Sequence, residues 1–248
     1  MNGVCLLVDN SNTRTKFALC GSGVDTEVRL LPTADISVSS VRRLLGGWRF
    51  SRVCLCSVVP WAAACIEEAL YEYPLVNVSP SVSLPVDFSA YPGVDTLGAD
   101  RVANVLAAVT RVPLPLVAVD LGTATTFDVV VASGALPVFR GGLIAPGYAA
   151  MAAALRSRTA QLPDAGDAAL CSVIGQNTLH AMSSAVRFGY PGMVDALLDA
   201  VEAELGERIN VILTGGDAET VAPLLRRRCI IEPRLTLQGI ALAAGLQL

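Results

Sequence analysis

Leu116 to Val131 reads LVAVDLGTATTFDVVV. An apolar run ends in Asp120, a small hydroxyl-rich turn follows from Gly122 to Thr126, and a second apolar run carries Asp128. The pattern is strand, tight turn, strand. Such a turn combines little bulk with many N–H and O–H donors, so a phosphate or nucleotide can approach it closely. Asp120, at the strand end, is placed to hold or orient a cation.

The pattern occurs once more, from Val4 to Cys20, VCLLVDNSNTRTKFALC. A shift of 111 positions sets Asp9 on Asp120, Ser11 on Gly122, Thr13 on Ala124 and Thr15 on Thr126. Each hairpin alone is what Asn- and Thr-rich turns produce anyway. The two in register, each opening half of the chain, point to a duplicated architecture, with a nucleotide between the halves and phosphate contacts from each turn.

Composition supports a compact globular protein: 53% of the 248 residues are hydrophobic and 16% charged, enough for one large domain or two of half the length. A net charge of −4 argues against nucleic acid or an anionic membrane as the main partner. The one basic cluster, Arg226 to Arg228, reads as the solvated end of a helix. Lys16, the single lysine, falls in the first hairpin, where a compact ammonium can meet a phosphate. The seven cysteines are odd in number and mostly lie in apolar runs, as reduced thiols of a cytosolic protein do. One histidine, His180, makes a zinc site or a histidine-dependent hydrolase improbable; it reads as an exposed helical residue. The N-terminus lacks a basic region and meets Asp9 early, so a soluble, cytoplasmic protein without signal peptide is expected.

Between the hairpins the pattern predicts a strand at Glu27 to Leu31, helices at Ser37 to Leu45 and Ala62 to Tyr71, and strands at Arg52 to Val59 and Leu75 to Val78. A Pro- and Gly-rich loop from Ser79 to Gly98, of a length usually reserved for function, leads into a helix from Ala99 to Val112. After the second hairpin come a strand at Pro137 to Phe139, then a Gly-rich turn and helix in GGLIAPGYAAMAAAL. A loop at Ser157 to Ala169 is followed by two helices, Asn177 to Phe188 and Gly192 to Leu205. The chain closes with a strand at Asn210 to Leu213, a TGG turn and helix, a strand at Ile230 to Pro233, and a helix from Leu235 to Leu246. This order makes an α/β protein of mixed sheets covered by helices.

Three carboxylates lie beside turns of small residues: Asp9, Asp100 and Asp120. Asp100, in LGADR, has two readings. An Asp opening a helix is commonly a cap. Delivered by a long loop and followed by Arg101, which can clasp a substrate carboxylate, it is also fit to accept a hydroxyl proton during phosphoryl transfer. Thr214 to Gly216 form a strand-to-helix turn suited to an adenosine ring.

In this order the stretches resemble the type III pantothenate kinases, of the acetate and sugar kinase/Hsc70/actin superfamily. DNSNTRTK (Asp9 to Lys16) is similar to the family's first phosphate motif, YPGVDTLGADR (Tyr91 to Arg101) to its pantothenate loop, and VDLGTATTFD (Val119 to Asp128) to its second phosphate motif. GGLIAPG, TAQLP, GQNTLHAM and LTGGDA follow at family-like positions. The resemblance implies two duplicated ribonuclease H-like (actin-like ATPase) domains, 1–114 and 115–248, and ATP-dependent phosphorylation of pantothenate, the first step of coenzyme A biosynthesis. It implies Asp100 as general base, with Tyr91, Gly98, Ala99, Asp100 and Arg101 binding pantothenate and Thr178 reaching the site of a neighbouring subunit in a homodimer. Asp9, Asn10, Ser11, Asn12, Thr13, Arg14, Thr15, Lys16 and Thr123 would contact ATP, accompanied by Mg2+, and Asp120 would hold a monovalent cation, K+ or NH4+. One departure stands out: Ser11 occupies a position where the family usually has Gly. If that position needs a left-handed backbone or very close phosphate approach, ATP binding suffers, and the alternative is a catalytically impaired member acting as a regulatory or nucleotide-binding protein. A superfamily kinase for another small hydroxylated substrate is the third reading.

Overall fold

The computed structural model describes residues 3–21, 23–81, 85–157 and 172–247. They divide into two compact units, each with a five-stranded sheet at its centre.

The first sheet has the order β3-β2-β1-β4-β5, built from β1 (Cys5–Asn10), β2 (Arg14–Cys20), β3 (Val24–Pro32), β4 (Arg52–Ser57) and β5 (Leu75–Asn77). β1 is buried along its whole length, as a strand covered on both faces must be. It pairs antiparallel with β2 and parallel with β4, and that register sets Asp9 beside both Lys16 and Cys56. Leu6, Val8, Val53 and Leu55 face a core shared with α1 (Val38–Leu44) and α2 (Pro60–Ala69). By alternation Cys5, Leu7, Asp9, Cys54 and Cys56 face the opposite way, toward α3 (Ala99–Ala108) and α7 (Leu235–Ala243), which pack on this sheet and on each other.

The second sheet repeats the pattern. Its order, β10-β9-β6-β7-β8, is the first order read backwards once strands are matched by position. The members are β6 (Leu116–Leu121), β7 (Ala124–Ser133), β8 (Leu136–Pro146), β9 (Asn210–Thr214) and β10 (Ile230–Ile231), with β6 parallel to β9 and β9 to β10. Its core joins Val117, Val119, Leu121 and Phe127 to Tyr190, Val194 and Leu198 of α5 (Thr178–Leu205) and to Val221, at the end of α6 (Ala218–Val221). The predicted duplication is therefore present strand for strand.

The expected boundary at 114/115 falls two residues from the observed first break, Val112/Pro113, but the units are not contiguous in sequence. Residues 130–141 and 234–248 belong to the first. Their packing explains this: Gly239 of α7 lies so close to the Ala103 carbonyl that no Cβ fits between, and Asp87 exchanges backbone hydrogen bonds with Pro137 and Phe139.

Three local expectations are corrected. GGLIAP is strand, the second half of β8. Its glycines suggest a turn, but burial alternates along it, with Phe139 and Gly141 inside and Arg140 and Gly142 outside, and one buried face holds it extended. The two helices predicted at 177–188 and 192–205 are one 28-residue helix, α5, continuous through Pro191. Tyr190, Val194 and Leu198 form a fully buried i, i+4, i+8 stripe whose packing overrides the intrinsic cost of an internal proline. Arg226 to Arg228 does not end a helix: it follows the short turn that closes at Leu224, with Arg226 and Arg228 exposed and ion pairs holding the first two. Arg226 reaches Asp195 at 3.2 Å and Asp199 at 2.7 Å, while Arg227 is largely covered and bonds Asp199 and Glu202. Cys171 and, Ser157 apart, the loop predicted at Ser157 to Ala169 lie outside the described residues. Ser157 closes α4 (Tyr148–Ser157). Among the described residues no helix is long and apolar enough to cross a membrane.

Candidate active site

In the first unit, the hairpin between β1 and β2 separates residues that build the turn from residues that face outward. Asn10 is buried: its Nδ2 donates to Thr15 Oγ1 at 2.7 Å and its Oδ1 accepts from Ser57 Oγ at 2.6 Å. Thr15 is equally buried and shares a hydrogen bond with Thr33, whose hydroxyl donates to the Ser11 carbonyl. Asn12, Thr13 and Arg14 are exposed and Ser11 and Lys16 partly so. The accessible side chains of this hairpin are thus Ser11 through Arg14 and Lys16, while Asn10 and Thr15 hold the turn. Asp9 is only 2% exposed, with Oδ1 accepting from Ser11 Oγ at 2.8 Å and Oδ2 from Lys16 Nζ at 3.0 Å. Among the described residues no non-glycine φ is positive. Ser11 therefore needs no left-handed backbone, and that ground for an impaired chain falls away.

Asp100 lies in the first turn of α3. It is not the cap; that position is Gly98, which offers no side chain. The Asp100 Oδ1 accepts the Arg101 N–H at 2.8 Å. Burial raises the Asp100 carboxyl above its ordinary range, the Arg101 N–H opposes the rise, and the negative charge of Asp9 adds to it. Cys56, paired in register with Asp9, has its thiol pushed far up, chiefly by burial and then by the charges of Asp9 and Asp100. A carboxylate with raised proton affinity next to an anionic neighbour is the state a general base needs.

Gly98 is explained by its neighbour: a Cβ there would stand 2.6 Å from Asp100 Oδ1. Tyr91 is set by glycines too. Its ring lies against the positions a Cβ would take on Gly93, at 3.0 Å, and on Gly141, at 3.3 Å. The same ring meets Phe139 edge-on, with centroids 5.2 Å apart, and the Arg101 guanidinium lies 5.8 Å from that Phe139 ring. Phe139 is thus the fully buried hub that brings Tyr91 and Arg101 together, a role sequence reasoning missed. Its one signal was its place on the strand before GG. A cleft of about 990 Å³ opens beside Ser57, Val58, Phe88, Thr96, Gly98 and Ala99.

In the second unit, Asp120 pairs in register with Thr214, and the TGG turn crosses directly behind it. Gly215, at φ +97°, has no room for a side chain: its Cβ would stand 2.5 Å from both Asp120 Oδ1 and the Leu121 backbone. Gly147 is pressed against the carbonyls of Gly122 and Thr123, which shapes the second turn and leaves Thr123 exposed. Thr178 is also exposed, as the first residue of α5 after its Asn177 cap, and His180 is half-buried one turn in. The site residues accordingly assemble as two sets, Asp9 to Lys16 with Tyr91 to Arg101 in one unit, and Asp120, Thr123 and Thr178 in the other.

The donor chemistry suits hard cations. No group of three metal-ligating side chains gathers among the described residues; Mg2+ is commonly held by one or two carboxylates together with nucleotide phosphates and water. At Asp120 the carboxylate lies against the Gly122 and Gly215 turns.

The model of the type III pantothenate kinase family matches residues 5–200. A type III pantothenate kinase of Akkermansia muciniphila is 40% identical over 98% of this chain and 99% of its own, and one of Methylacidiphilum infernorum is 38% identical over 96% and 86%. Among solved structures, a Baf family protein from Campylobacter jejuni aligns over 97% of both chains with a TM-score of 0.63 and 21% identity. A ROK family glucokinase from Streptomyces griseus aligns over 96% and 98% with a TM-score of 0.56 and 12% identity. Identities this low speak to the fold alone, and that fold is the duplicated ribonuclease H-like architecture of the actin-like ATPases.

Proposed function

The chain belongs to the type III pantothenate kinase family, and from that premise we propose that it transfers the γ-phosphoryl group of ATP to the primary hydroxyl of pantothenate, opening coenzyme A biosynthesis. The observation that carries the reading is the partly buried Asp100 carboxylate, its proton affinity raised by burial and by the Asp9 charge, with Gly98 clearing its oxygen.

In the reaction, the pantothenate hydroxyl oxygen attacks the γ-phosphorus as its proton passes to Asp100. The bond from the γ-phosphorus to the bridging oxygen breaks and ADP leaves. Such transfers depend mainly on positioning and charge neutralisation. Arg101 and Tyr91, both set against Phe139, hold the substrate carboxylate and body, Gly98 and Ala99 line its approach, and Thr178 of a second copy of the chain completes the site in a homodimer. Ser11, Asn12, Thr13, Arg14, Lys16 and Thr123 contact ATP, while Asn10 and Thr15 keep the first turn in shape. Asp9 would help hold the Mg2+ that accompanies ATP, which when bound would neutralise charge on the transferring group, and Asp120 would hold K+ or NH4+. Six cysteines are free among the described residues, and burial pushes the Cys54 thiol up to about 12. We read these as inert thiols of a cytoplasmic enzyme.

The test is ADP release from Mg·ATP with and without pantothenate, in potassium and in sodium, with Asp100→Asn as control. Pantothenate-dependent turnover that needs potassium and vanishes in the variant supports the whole assignment. Turnover of a sugar in place of pantothenate, or binding of ATP without turnover, rejects it.

A further inference from the structure

Asp9 is a buried carboxylate with a side-chain donor on each oxygen, Ser11 Oγ on Oδ1 and Lys16 Nζ on Oδ2. The two donors come from different places in the hairpin, the turn and the opposite strand. Ser11 is itself held, with its N–H on the Arg14 carbonyl at 3.3 Å and its own carbonyl accepting from Thr33 Oγ1 at 2.7 Å. Its hydroxyl is therefore delivered to Asp9 from a fixed backbone.

The duplicated hairpin supplies an internal comparison. The residues matching Ser11 and Lys16 are Gly122 and Phe127, so neither can donate a side-chain hydrogen bond. Yet a Cβ built on Gly122 would stand 3.2 Å from Asp120 Oδ1. A side chain two residues after the strand-end Asp is thus aimed at the same carboxylate oxygen in both halves. The contact at Ser11 follows from the turn geometry, and the two Asp positions are equipped differently by the sequence.

We propose that Ser11 is a positioning residue that, with Lys16, clamps the Asp9 carboxylate in one orientation before Mg·ATP binds. Each Asp9 oxygen can accept more than one hydrogen bond, so the clamp leaves lone pairs for the magnesium hydration shell while removing the freedom of the carboxylate to turn. Replacing Ser11 by the glycine of the second hairpin gives that freedom back. This inference rests on the kinase reading for its ligand but not for its measurement.

The experiment is calorimetric titration of the full chain and of Ser11→Gly, Ser11→Ala and Ser11→Thr with ATP, once with excess Mg2+ and once with a chelator, followed by kcat and KM for both substrates. The Gly and Ala variants are expected to bind Mg·ATP about 10-fold more weakly, as loss of a hydrogen bond to a charged group implies. Their binding of metal-free ATP should weaken less than their binding of Mg·ATP, and Ser11→Thr, which keeps the hydroxyl, should restore Mg·ATP affinity. Ser11→Gly binding Mg·ATP as tightly as the parent overturns the proposal, as does equal weakening in the Gly and Thr variants. A parent chain that binds Mg·ATP but leaves pantothenate untouched removes the kinase reading and leaves the clamp to be judged on the binding ratios.

Discussion

Gly98 and Asp100 share one space: the Cβ that Gly98 lacks would stand 2.6 Å from Asp100 Oδ1. The backbone at Gly98, φ −58° and ψ 138°, is one that alanine adopts without strain. Gly98→Ala therefore displaces a carboxylate without disturbing the fold. The expected result is a fall in kcat of about 10-fold or more, since small misplacement of a reacting group is costly, with Tm nearly unchanged. Steady-state kinetics beside a melting curve separates the two effects.

The raised carboxyl of Asp100 sets the acid limb of the pH profile. Asp100 must be ionised to take the hydroxyl proton, so kcat/KM falls as pH drops through its elevated value, above the ordinary carboxylate range. Because the Asp9 charge contributes to the rise, Asp9→Asn should move the limb to lower pH in whatever activity remains. Stability gives a second reading of the same shift. A carboxyl whose folded value is raised favours the fold while it is protonated and loses that contribution as pH climbs through the folded value. Asp100→Asn should accordingly raise Tm at pH 7 and change it little below pH 4. An unchanged Tm at pH 7 would contradict the burial assigned to this group.

Gly141 sits at φ +116° with the Tyr91 ring 3.3 Å from where its Cβ would be. Gly141→Ala combines backbone strain of about 1–2 kcal/mol with displacement of Tyr91. The expected signature is a several-fold rise in KM for pantothenate with KM for ATP little altered. Phe139→Leu, which removes the ring beneath both Tyr91 and Arg101, should show the same selectivity.

Gly239 lies against the Ala103 carbonyl at the crossing of α7 and α3. A methyl group there has to separate two helices, since the obstacle is backbone. Gly239→Ala should destabilise by about 1–3 kcal/mol, the usual range for overpacking. Urea denaturation of the two chains is the direct check.

Much of this molecule follows from local pattern. Two apolar runs, each ending in Asp before a small polar turn, specify two matching hairpins because strand periodicity and turn chemistry act over a few residues. The same short-range logic places Gly98 to Arg101 at the start of a helix. Long-range packing decided the rest. Pro191 stays inside one continuous helix because Tyr190, Val194 and Leu198 bury on a single face. GGLIAP stays extended because alternate residues along β8 are covered. The last helix belongs to the first unit because Gly239 admits a close crossing with α3. Phe139 carries no motif, and its role exists only where Tyr91 and Arg101 come to the same ring. The Asp9 clamp is a similar case: the letters show Ser11 in place of glycine, and the folded turn aims its hydroxyl at the carboxylate. Local sequence determines strands, turns and helix starts through near-neighbour sterics and hydrogen bonds, whereas the pairing of residues far apart depends on which surfaces bury each other.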